Sequence, residues 1–223
     1  MTASRAGGRR KLEPDPEVRT ALLSAAVEVV REDGVRALSI ARVLSRAQMG
    51  TRAFYRQFDS KDQLVSALFL EMARLEVARL RQRMAVSSDP VRAVAAWIDG
   101  RLDLALREEI RSDLRQMSLE AQNQMFAAPE IVAPAYREIL RPLVEELTRG
   151  RDLGLFSDID PDGAALSIQG VVWSHLERHW ATAGAELSDV REHVERFCLR
   201  GLGVAPETIA AVIGELLTHN VSG

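Results

Sequence analysis

The chain has 223 residues, of which 47% are hydrophobic and 27% charged, a composition typical of a globular protein with a sizeable core. No apolar run approaches the roughly 20 residues that a membrane-spanning helix needs, and the polar, basic start lacks the apolar stretch of a signal peptide. The single cysteine, Cys198, excludes a disulfide within the chain, so we expect a cytoplasmic protein that does not contact membranes.

Charge is unevenly distributed along the chain. Residues 1–62 hold 12 Lys and Arg against 8 Asp and Glu, a net charge of +4, whereas the remainder holds 17 against 24, a net charge of −7. A basic head on an acidic body is expected when one end of a protein meets phosphates and the rest does not. Chance scatter of surface charge is the alternative interpretation.

Caps and prolines predict where the helices begin. Residues 1–15 are predicted to form a flexible basic arm. Asp15 before Pro16 is typical of a helix start, and Ser60 with Gln63 forms a capping box in which each side chain bonds the backbone amide of the other residue. The predicted helices cover about residues 16–32, 40–46, 51–57, 60–84, 90–104, 109–126, 139–147, 160–182, 188–200 and 206–219.

No segment shows the alternation of a convincing strand, so the sequence predicts an all-α fold of nine or ten helices. Pro129 and Pro134 are expected to break the helical pattern before the seventh helix, and residues 150–154, from Gly150 to Gly154, are expected to form the turn after it. The predicted organisation is an arm, 1–15, a three-helix head, 16–62, and a helical body, 63–223.

Residues 38–64 carry the most informative pattern. Two short predicted helices are separated by a three-residue turn at 48–50, which is the arrangement of a helix-turn-helix. Phe54 and Phe58, four residues apart, predict the buried stripe of the second helix. The side chains then expected to face outward are Thr51, Arg52, Tyr55, Arg56 and Gln57.

That outward face has suitable chemistry for a DNA groove. Arginine donates paired hydrogen bonds to guanine, threonine contacts the thymine methyl group, and tyrosine or lysine binds phosphates. One acidic residue, Asp59, stands among six basic residues in this region. The basic residues are Arg36, Arg42, Arg46, Arg52, Arg56 and Lys61.

The segment resembles the DNA-binding head of the TetR family of regulators, whose pattern is roughly T-x-x-x-I-A-x-x-A-G-V-S-x-x-x-x-Y-x-x-F followed by S/N-K-x-x-L. The resemblance covers about residues 18–64 and includes the upstream stretch LLSAAVEVVREDG. The outright matches are Tyr55, Phe58, Ser60, Lys61 and Leu64, and the similar positions are Ser39, Val43, Ala47 and Met49.

Three positions depart from that pattern. Leu44 replaces an alanine and Gln48 replaces the glycine of the turn, which predicts slightly altered packing of the two helices. Gly50 replaces a serine that would cap the recognition helix, and glycine offers no side-chain contact.

The resemblance also implies roles for single residues. The basic arm is expected either to enter a minor groove or to have no role. The base-edge candidates are Thr51, Arg52 and Arg56, and the phosphate-binding candidates are Ser39, Arg42, Tyr55 and Lys61.

A homodimer is expected because a single helix-turn-helix contacts too little DNA for useful specificity, and the resemblance implies dimerisation through the last helices. The candidate surface is about 161–201, where the stretch 164–176 is apolar on more than one side. The alternative is that both faces are filled within one protomer. Other apolar residues of this surface are Val190, Val194, Phe197 and Leu199.

The other body helices are expected to enclose a pocket for a small, largely apolar molecule. Each candidate taken singly is equally compatible with an ordinary core position. The candidate ligand-binding residues are Trp97, Leu102, Met117, Met125, Phe126, Tyr136 and Trp173, with Gln122 and Asn123 as polar groups.

The sequence therefore predicts a ligand-responsive transcriptional regulator, a repressor by the family default, that binds double-stranded, pseudo-palindromic operator DNA as a homodimer. The alternatives are a non-specific architectural DNA-binding protein and a helical protein-interaction module. We predict no enzyme, because no phosphate loop, nucleophile elbow or catalytic carboxylate pair stands out. We predict no metal or cofactor, because His175 and His179 have a suitable spacing but lack a zinc-protease motif and a nearby cysteine.

Overall fold

The structure is a computed structural model that describes residues 15–106, 120–121, 128–182 and 187–221, and every element in these ranges is helical, as the sequence predicts. The predicted helix 109–126 lies outside the described residues, apart from 120–121. The helices are α1 Pro16–Asp33, α2 Ile40–Ala47, α3 Thr51–Gln57, α4 Lys61–Met84, α5 Pro90–Leu106, α6 Pro129–Asp152, α7 Pro161–Thr182, α8 Leu187–Gly201 and α9 Pro206–Val221, with a 3₁₀ turn at Val35–Ala37.

The chain divides into two compact units, Met1–Phe69 and Leu70–Gly223, so the division falls within α4. No helix in the described ranges is both long and apolar enough to cross a membrane.

Capping side chains begin the helices of the first unit. Asp15 accepts a hydrogen bond of 3.0 Å from the amide of Glu17, and the hydroxyl of Ser60 accepts one of 3.1 Å from the amide of Gln63. The return bond of the predicted capping box differs: the Gln63 side chain accepts from the amide of Asp59, at 2.5 Å, and not from that of Ser60. The return bond thus ties down the residue before Ser60, one position earlier than in a standard capping box.

Aromatic packing holds α1 against α3. Phe54 and Phe58 are fully buried, as predicted, with their ring centroids 5.6 Å apart. The guanidinium carbon of Arg19 on α1 lies 4.6 Å from the Phe58 ring centroid, and its Nη1 donates to the carbonyl of Gln57 at 3.3 Å. A cation over a ring face and a backbone bond together fix the end of α3.

The predicted break at Pro134 is wrong. A single helix, α6, begins at Pro129 and continues through Pro134 and Pro142. Each interior proline removes one backbone donor, but α6 also buries a long apolar face, and that packing keeps the helix intact. The buried residues of that face are Val132, Ala135, Leu140, Leu143 and Leu147.

The end of α6 differs from the predicted turn at 150–154. The helix continues to Asp152, and Gly150 lies within it. The Phe156 ring occupies the space that a Cβ atom at Gly150 would need, and the amide of Leu155 donates to the Gly150 carbonyl at 2.8 Å. The glycine therefore serves close packing at this position.

The second unit is built around α5, which packs against α6, α7, α8 and α9. The indole N–H of Trp97 donates to the carbonyl of Ile139 at 3.3 Å, which ties α5 to α6. Cys198 on α8 is buried, and this burial, together with the charge of Glu195, raises the pKa of its thiol to about 12. Fully buried core residues include Trp97, Ile98, Leu102, Leu143, Leu147, Val172, Val194 and Leu199.

Charged side chains also lie inside this unit. Asp99 and Asp103, one turn apart on α5, each pair with both Arg83 of α4 and Arg191 of α8. Glu195 lies nearby, and burial, followed by the charge of Asp99, raises its pKa to about 8. We call the α5 charge network the set Glu76, Arg79, Arg83, Asp99, Arg101, Asp103, Arg191 and Glu195.

Candidate nucleic-acid interface and ligand site

The turn between α2 and α3 adopts a left-handed backbone at Gln48, with φ 53° and ψ 41°. The amide of Met49 donates to the carbonyl of Leu44 at 3.0 Å, which closes the end of α2. Glycine adopts this conformation with the least strain, so the Gln48 departure adds strain to the turn while its backbone remains left-handed. Leu44, the neighbouring departure, is buried on the inner face of α2.

The outer face of α3 is polar and accessible. Thr51 and Arg52 are exposed, 52% of Tyr55 is exposed, and Arg56 is half-buried. The Tyr55 ring packs edge-to-face on Phe54, with 5.3 Å between the centroids. This contact with a fully buried ring restrains Tyr55 while its hydroxyl group is free to meet a partner outside.

The predicted outward position of Gln57 is wrong. Only 8% of Gln57 is exposed, and its side-chain nitrogen and oxygen have no hydrogen-bond partner among the described residues. The reason is helical spacing, because Gln57 lies three residues after Phe54 and so shares its inner face. Gln57 is therefore not available to contact DNA.

Two of the predicted cations are engaged within the first unit. Arg42 pairs with Asp33, and Arg46 donates to Glu32 at 2.8 Å and to Glu28 at 3.2 Å. The hydrogen bond from Arg46 lowers the pKa of Glu32. These pairs tie α2 to α1, so these two arginines contribute less to a positive surface than their number suggests.

Three other predicted cations are not engaged in this way. Within the described residues, Arg52, Arg56 and Lys61 form no ion pair. The outer face of α3 therefore carries unbalanced positive charge, which is the electrostatic condition for binding a phosphate backbone, whereas Asp62 follows Lys61 at the start of α4.

Two of the predicted phosphate-binding residues, Ser39 and Lys61, lie at helix starts. Ser39 is the N-cap of α2, where its hydroxyl accepts from the amide of Arg42 at 3.3 Å. Gly50 is the N-cap of α3, with no side-chain cap. Lys61 is exposed as the first residue of α4. The unpaired amides of such helix starts favour anions.

The structure locates four of the nine residues predicted for the ligand site. Trp97 and Leu102 are fully buried on α5, 6% of Trp173 is exposed, and Tyr136 is half-buried on α6. The Trp173 indole donates to Glu177 at 2.8 Å, and burial raises the pKa of Tyr136. The predicted residues Met117, Gln122, Met125 and Phe126, as well as Asn123, lie outside the described residues.

A surface groove of about 840 Å³ runs along α6 and the start of α7, and it contains none of the predicted ligand residues. Its apolar walls include Leu140, Val144 and Leu166.

A ring contact joins two histidines that lie on different helices. His175 lies against His193 of α8, with 5.4 Å between the ring centroids. In the described part of the chain, no group of three or more potential metal ligands lies together.

Sequence reasoning missed Arg19 and Arg101. Both are arginines in ordinary helical sequence, and no local motif distinguishes them from solvated cations. The aromatic pair at Phe54 and Phe58 is the one signal that would have suggested a cation such as Arg19 over a ring face.

Comparison with known proteins agrees with this geometry. Residues 22–68 match the model of the bacterial regulatory proteins of the tetR family. A curated relative, the HTH-type nicotine-responsive transcriptional repressor HdnoR of Paenarthrobacter nicotinovorans, is 34% identical over 77 residues. That match covers 34% of this chain and 39% of the relative.

Solved structures share the fold over a longer span. RolR in complex with resorcinol has a TM-score of 0.66 at 22% identity, and the match covers 89% of this chain and 93% of that one. FadR from Bacillus subtilis in complex with stearoyl-CoA has a TM-score of 0.63 at 18% identity, over 82% of this chain and 98% of that one. The likeness to the tetR family of bacterial regulatory proteins thus rests on residues 22–68.

Proposed function

We propose that the protein is a transcriptional repressor whose homodimer binds a pseudo-palindromic operator and is released by a small, largely apolar effector. The observation that carries the proposal is the exposed outer face of α3, where Arg52 and Arg56 form no ion pair in the described residues. Because these two arginines form no ion pair within the protein, their positive charges can neutralise DNA phosphates and so stabilise a complex with DNA.

Base recognition is assigned to Thr51, Arg52 and Arg56, which lie on α3. Tyr55, restrained by Phe54, is assigned to a phosphate, since its hydroxyl lies on the exposed face. The remaining phosphate-binding residues are Ser39, Arg42 and Lys61, and Arg42 would have to share its charge with Asp33.

Dimerisation is assigned to α7 and α8, within 161–201. Leu166 and Phe197 are 62% and 58% exposed, which is unusual for large apolar side chains. Gly170 and Ser174 follow Leu166 at helical spacing, and a Cβ atom at Gly170 would meet nothing within 4 Å. An exposed face of this kind favours close approach of a second copy.

The effector site is assigned to the interior of the second unit, near Trp97, Tyr136 and Trp173. The ligands of RolR and FadR are a small aromatic molecule and a fatty-acyl thioester, so related folds accept apolar groups. Effector and operator would each favour a different conformation, and the coupling equals the difference in effector affinity between the two. The continuous helix α4, which belongs to both units, is the covalent link for that coupling.

The test is selection of genomic DNA fragments by the purified protein near physiological salt. The wild type should enrich a pseudo-palindromic site, and the double variant Arg52→Ala/Tyr55→Ala should lose it, because each base contact contributes about 1–3 kcal/mol. Arg74→Ala is the matched control, since Arg74 is exposed and pairs with Glu71. Equal recovery by the double variant would reject α3 as the reader.

Other outcomes identify the alternatives. Uniform retention of all fragments would favour an architectural DNA-binding protein, and no retention would favour a protein-interaction module. Sedimentation tests the dimer: Phe197→Glu should yield monomers, whereas Leu153→Glu, equally exposed but outside α7 and α8, should not.

A further inference from the structure

Arg101 is a buried cation that lacks a full set of partners. It is 2% exposed and lies one turn after Trp97 on α5. Its Nη1 is 3.2 Å from Oε1 of Glu76, but its Nε has no hydrogen-bond partner among the described residues. Burial removes the hydrogen bond that such an N–H group makes to water, and without a partner in the protein this loss destabilises the folded state.

Charge balance around Arg101 is also incomplete. Arg79 donates to the same Oε1 atom of Glu76 at 2.8 Å and to its Oε2 at 2.9 Å, so two guanidinium groups share one carboxylate. The neighbouring carboxylates, Asp99 and Asp103, are already paired with Arg83 and Arg191. A buried excess of positive charge is stabilised when an anion binds it.

Arg101 lies beside the predicted effector site. The indole of Trp97 on α5 donates to the carbonyl of Ile139 on α6. Arg101 lies one turn after Trp97, and Tyr136 lies about one turn before Ile139. The charge of Arg101 acts on the Tyr136 phenol, so the two side chains are neighbours. Burial raises the pKa of the Tyr136 phenol, the charge of Arg101 opposes that rise, and the charge of Glu177 adds to it. The site therefore offers a phenol and a cation together.

A second buried polar atom lies on a helix that packs against α5. Gln169 of α7 is 6% exposed, lies one turn before Trp173, and its Oε1 has no hydrogen-bond partner in the described ranges. Glu177, on the same helix, is exposed and accepts from the Trp173 indole. Two buried polar atoms without a partner in the described residues, Arg101 Nε and Gln169 Oε1, thus lie on two helices that pack together.

We propose that the effector is an organic acid, a largely apolar molecule whose carboxylate binds the Nε of Arg101 beside Tyr136 and Trp173. The proposal rests on the effector site assigned above and adds the chemical class of its ligand. The carboxylate completes the hydrogen bonding of the guanidinium and balances the charge that Glu76 leaves uncompensated.

The test uses the full-length protein without DNA and four carboxylate probes: benzoate, 3-phenylpropanoate, octanoate and decanoate, each beside its neutral primary amide. Binding is measured by tryptophan fluorescence and by the shift in melting temperature. At least one carboxylate should bind while its amide does not, and Arg101→Gln should weaken that carboxylate by about 10- to 100-fold, the range for a charge-assisted hydrogen bond.

Arg92→Gln is the matched control on the same helix, because Arg92 of α5 is partly exposed and pairs with Asp89 and Glu215, outside the α5 charge network. It should leave carboxylate affinity within about threefold of wild type, since it removes no proposed ligand contact. Were Arg101→Gln unable to fold, Arg101→Lys would keep the charge without the planar fork, and carboxylate affinity should still fall by about tenfold.

Equal binding of carboxylates and amides, binding of no probe, or unchanged affinity in the folded Arg101 variant would overturn the proposal. Because the assay contains no DNA, it is independent of operator selection. Carboxylate binding without operator selection would keep the ligand class and reject the regulator, whereas operator selection without carboxylate binding would do the opposite.

Discussion

Arg83 and Asp103 form an ion pair inside the second unit, with 2.7 Å between Nη1 and Oδ2, and Arg191 pairs with the same aspartate from α8. Asp99 and Asp103 are each 1% exposed at the side chain, so neither carboxylate can be compensated by water. The helices α4, α5 and α8 are therefore joined by charges that depend on one another.

We expect Arg191→Met to destabilise the protein by about 3–5 kcal/mol, because Arg83 would be left with two buried carboxylates. The free energy of unfolding from urea titration measures this loss. Arg196→Met is the matched control on the same helix, since Arg196 pairs with the more exposed Glu192 and its loss should cost about 1 kcal/mol or less. Equal losses in the two variants would contradict the role of the buried network.

Glu195 predicts a pH dependence of stability. An ordinary glutamate titrates near 4.5, whereas Glu195 in the folded protein has a pKa of about 8. Between these values the folded state binds more protons than the unfolded state, so the free energy of unfolding falls as pH rises through this window. This contribution is fully present below pH 4.5 and is lost as pH rises through about 8.

Glu195→Gln should remove this contribution, because the amide does not ionise. Its advantage over wild type should grow by on the order of 1 kcal/mol per pH unit between pH 5 and pH 8. Denaturant unfolding at several pH values measures it, with Glu192→Gln as an exposed control on α8. Parallel curves for wild type and Glu195→Gln would show that Glu195 is ionised throughout.

Gln48 predicts that the turn of the helix-turn-helix can be made more stable. Gln48→Gly should raise the free energy of unfolding by about 1 kcal/mol, because a non-glycine residue pays about that much in a left-handed conformation. Gln48→Val should lower it, since a β-branched side chain tolerates positive φ least well. Thermal melts followed by circular dichroism rank the three proteins, and an order other than Gly, Gln, Val would be inconsistent with strain at this position.

Gly150 predicts a steric effect on the second unit. Gly150→Ala should destabilise by about 1–3 kcal/mol, because the new methyl group would collide with the Phe156 ring. Gly214→Ala is the control, since a Cβ atom at Gly214 on α9 would meet nothing within 4 Å. That variant should instead gain about 0.5–1 kcal/mol from helix propensity. A gain in stability in both variants would contradict the close contact between Gly150 and the Phe156 ring.

Local signals predicted the head of the molecule well. The cap at Asp15 and the aromatic pair at Phe54 and Phe58 act within a few residues, so α1, α2 and α3 begin and end close to their predicted positions. Pro134 and Gly150 were misread because tertiary packing decides whether a helix continues through a proline or a glycine.

The candidate sites show the same limit. Helical spacing predicted the exposed face of α3 except at Gln57. This residue lies three positions after Phe54, so it shares the buried face of the helix. Pairing between distant helices could not be predicted, and for that reason neither the Arg42–Asp33 pair nor the sharing of Glu76 between Arg79 and Arg101 was anticipated.

The protected thiol of Cys198 has a practical consequence. It is the single cysteine of the chain, it is buried, and its raised pKa keeps it protonated near neutral pH, so maleimide reagents should leave it untouched in the folded protein. A second cysteine introduced at exposed Thr51 could then be labelled selectively without replacing Cys198. The native chain is thus already a suitable background for spin-label or fluorescence distance measurements on its recognition helix.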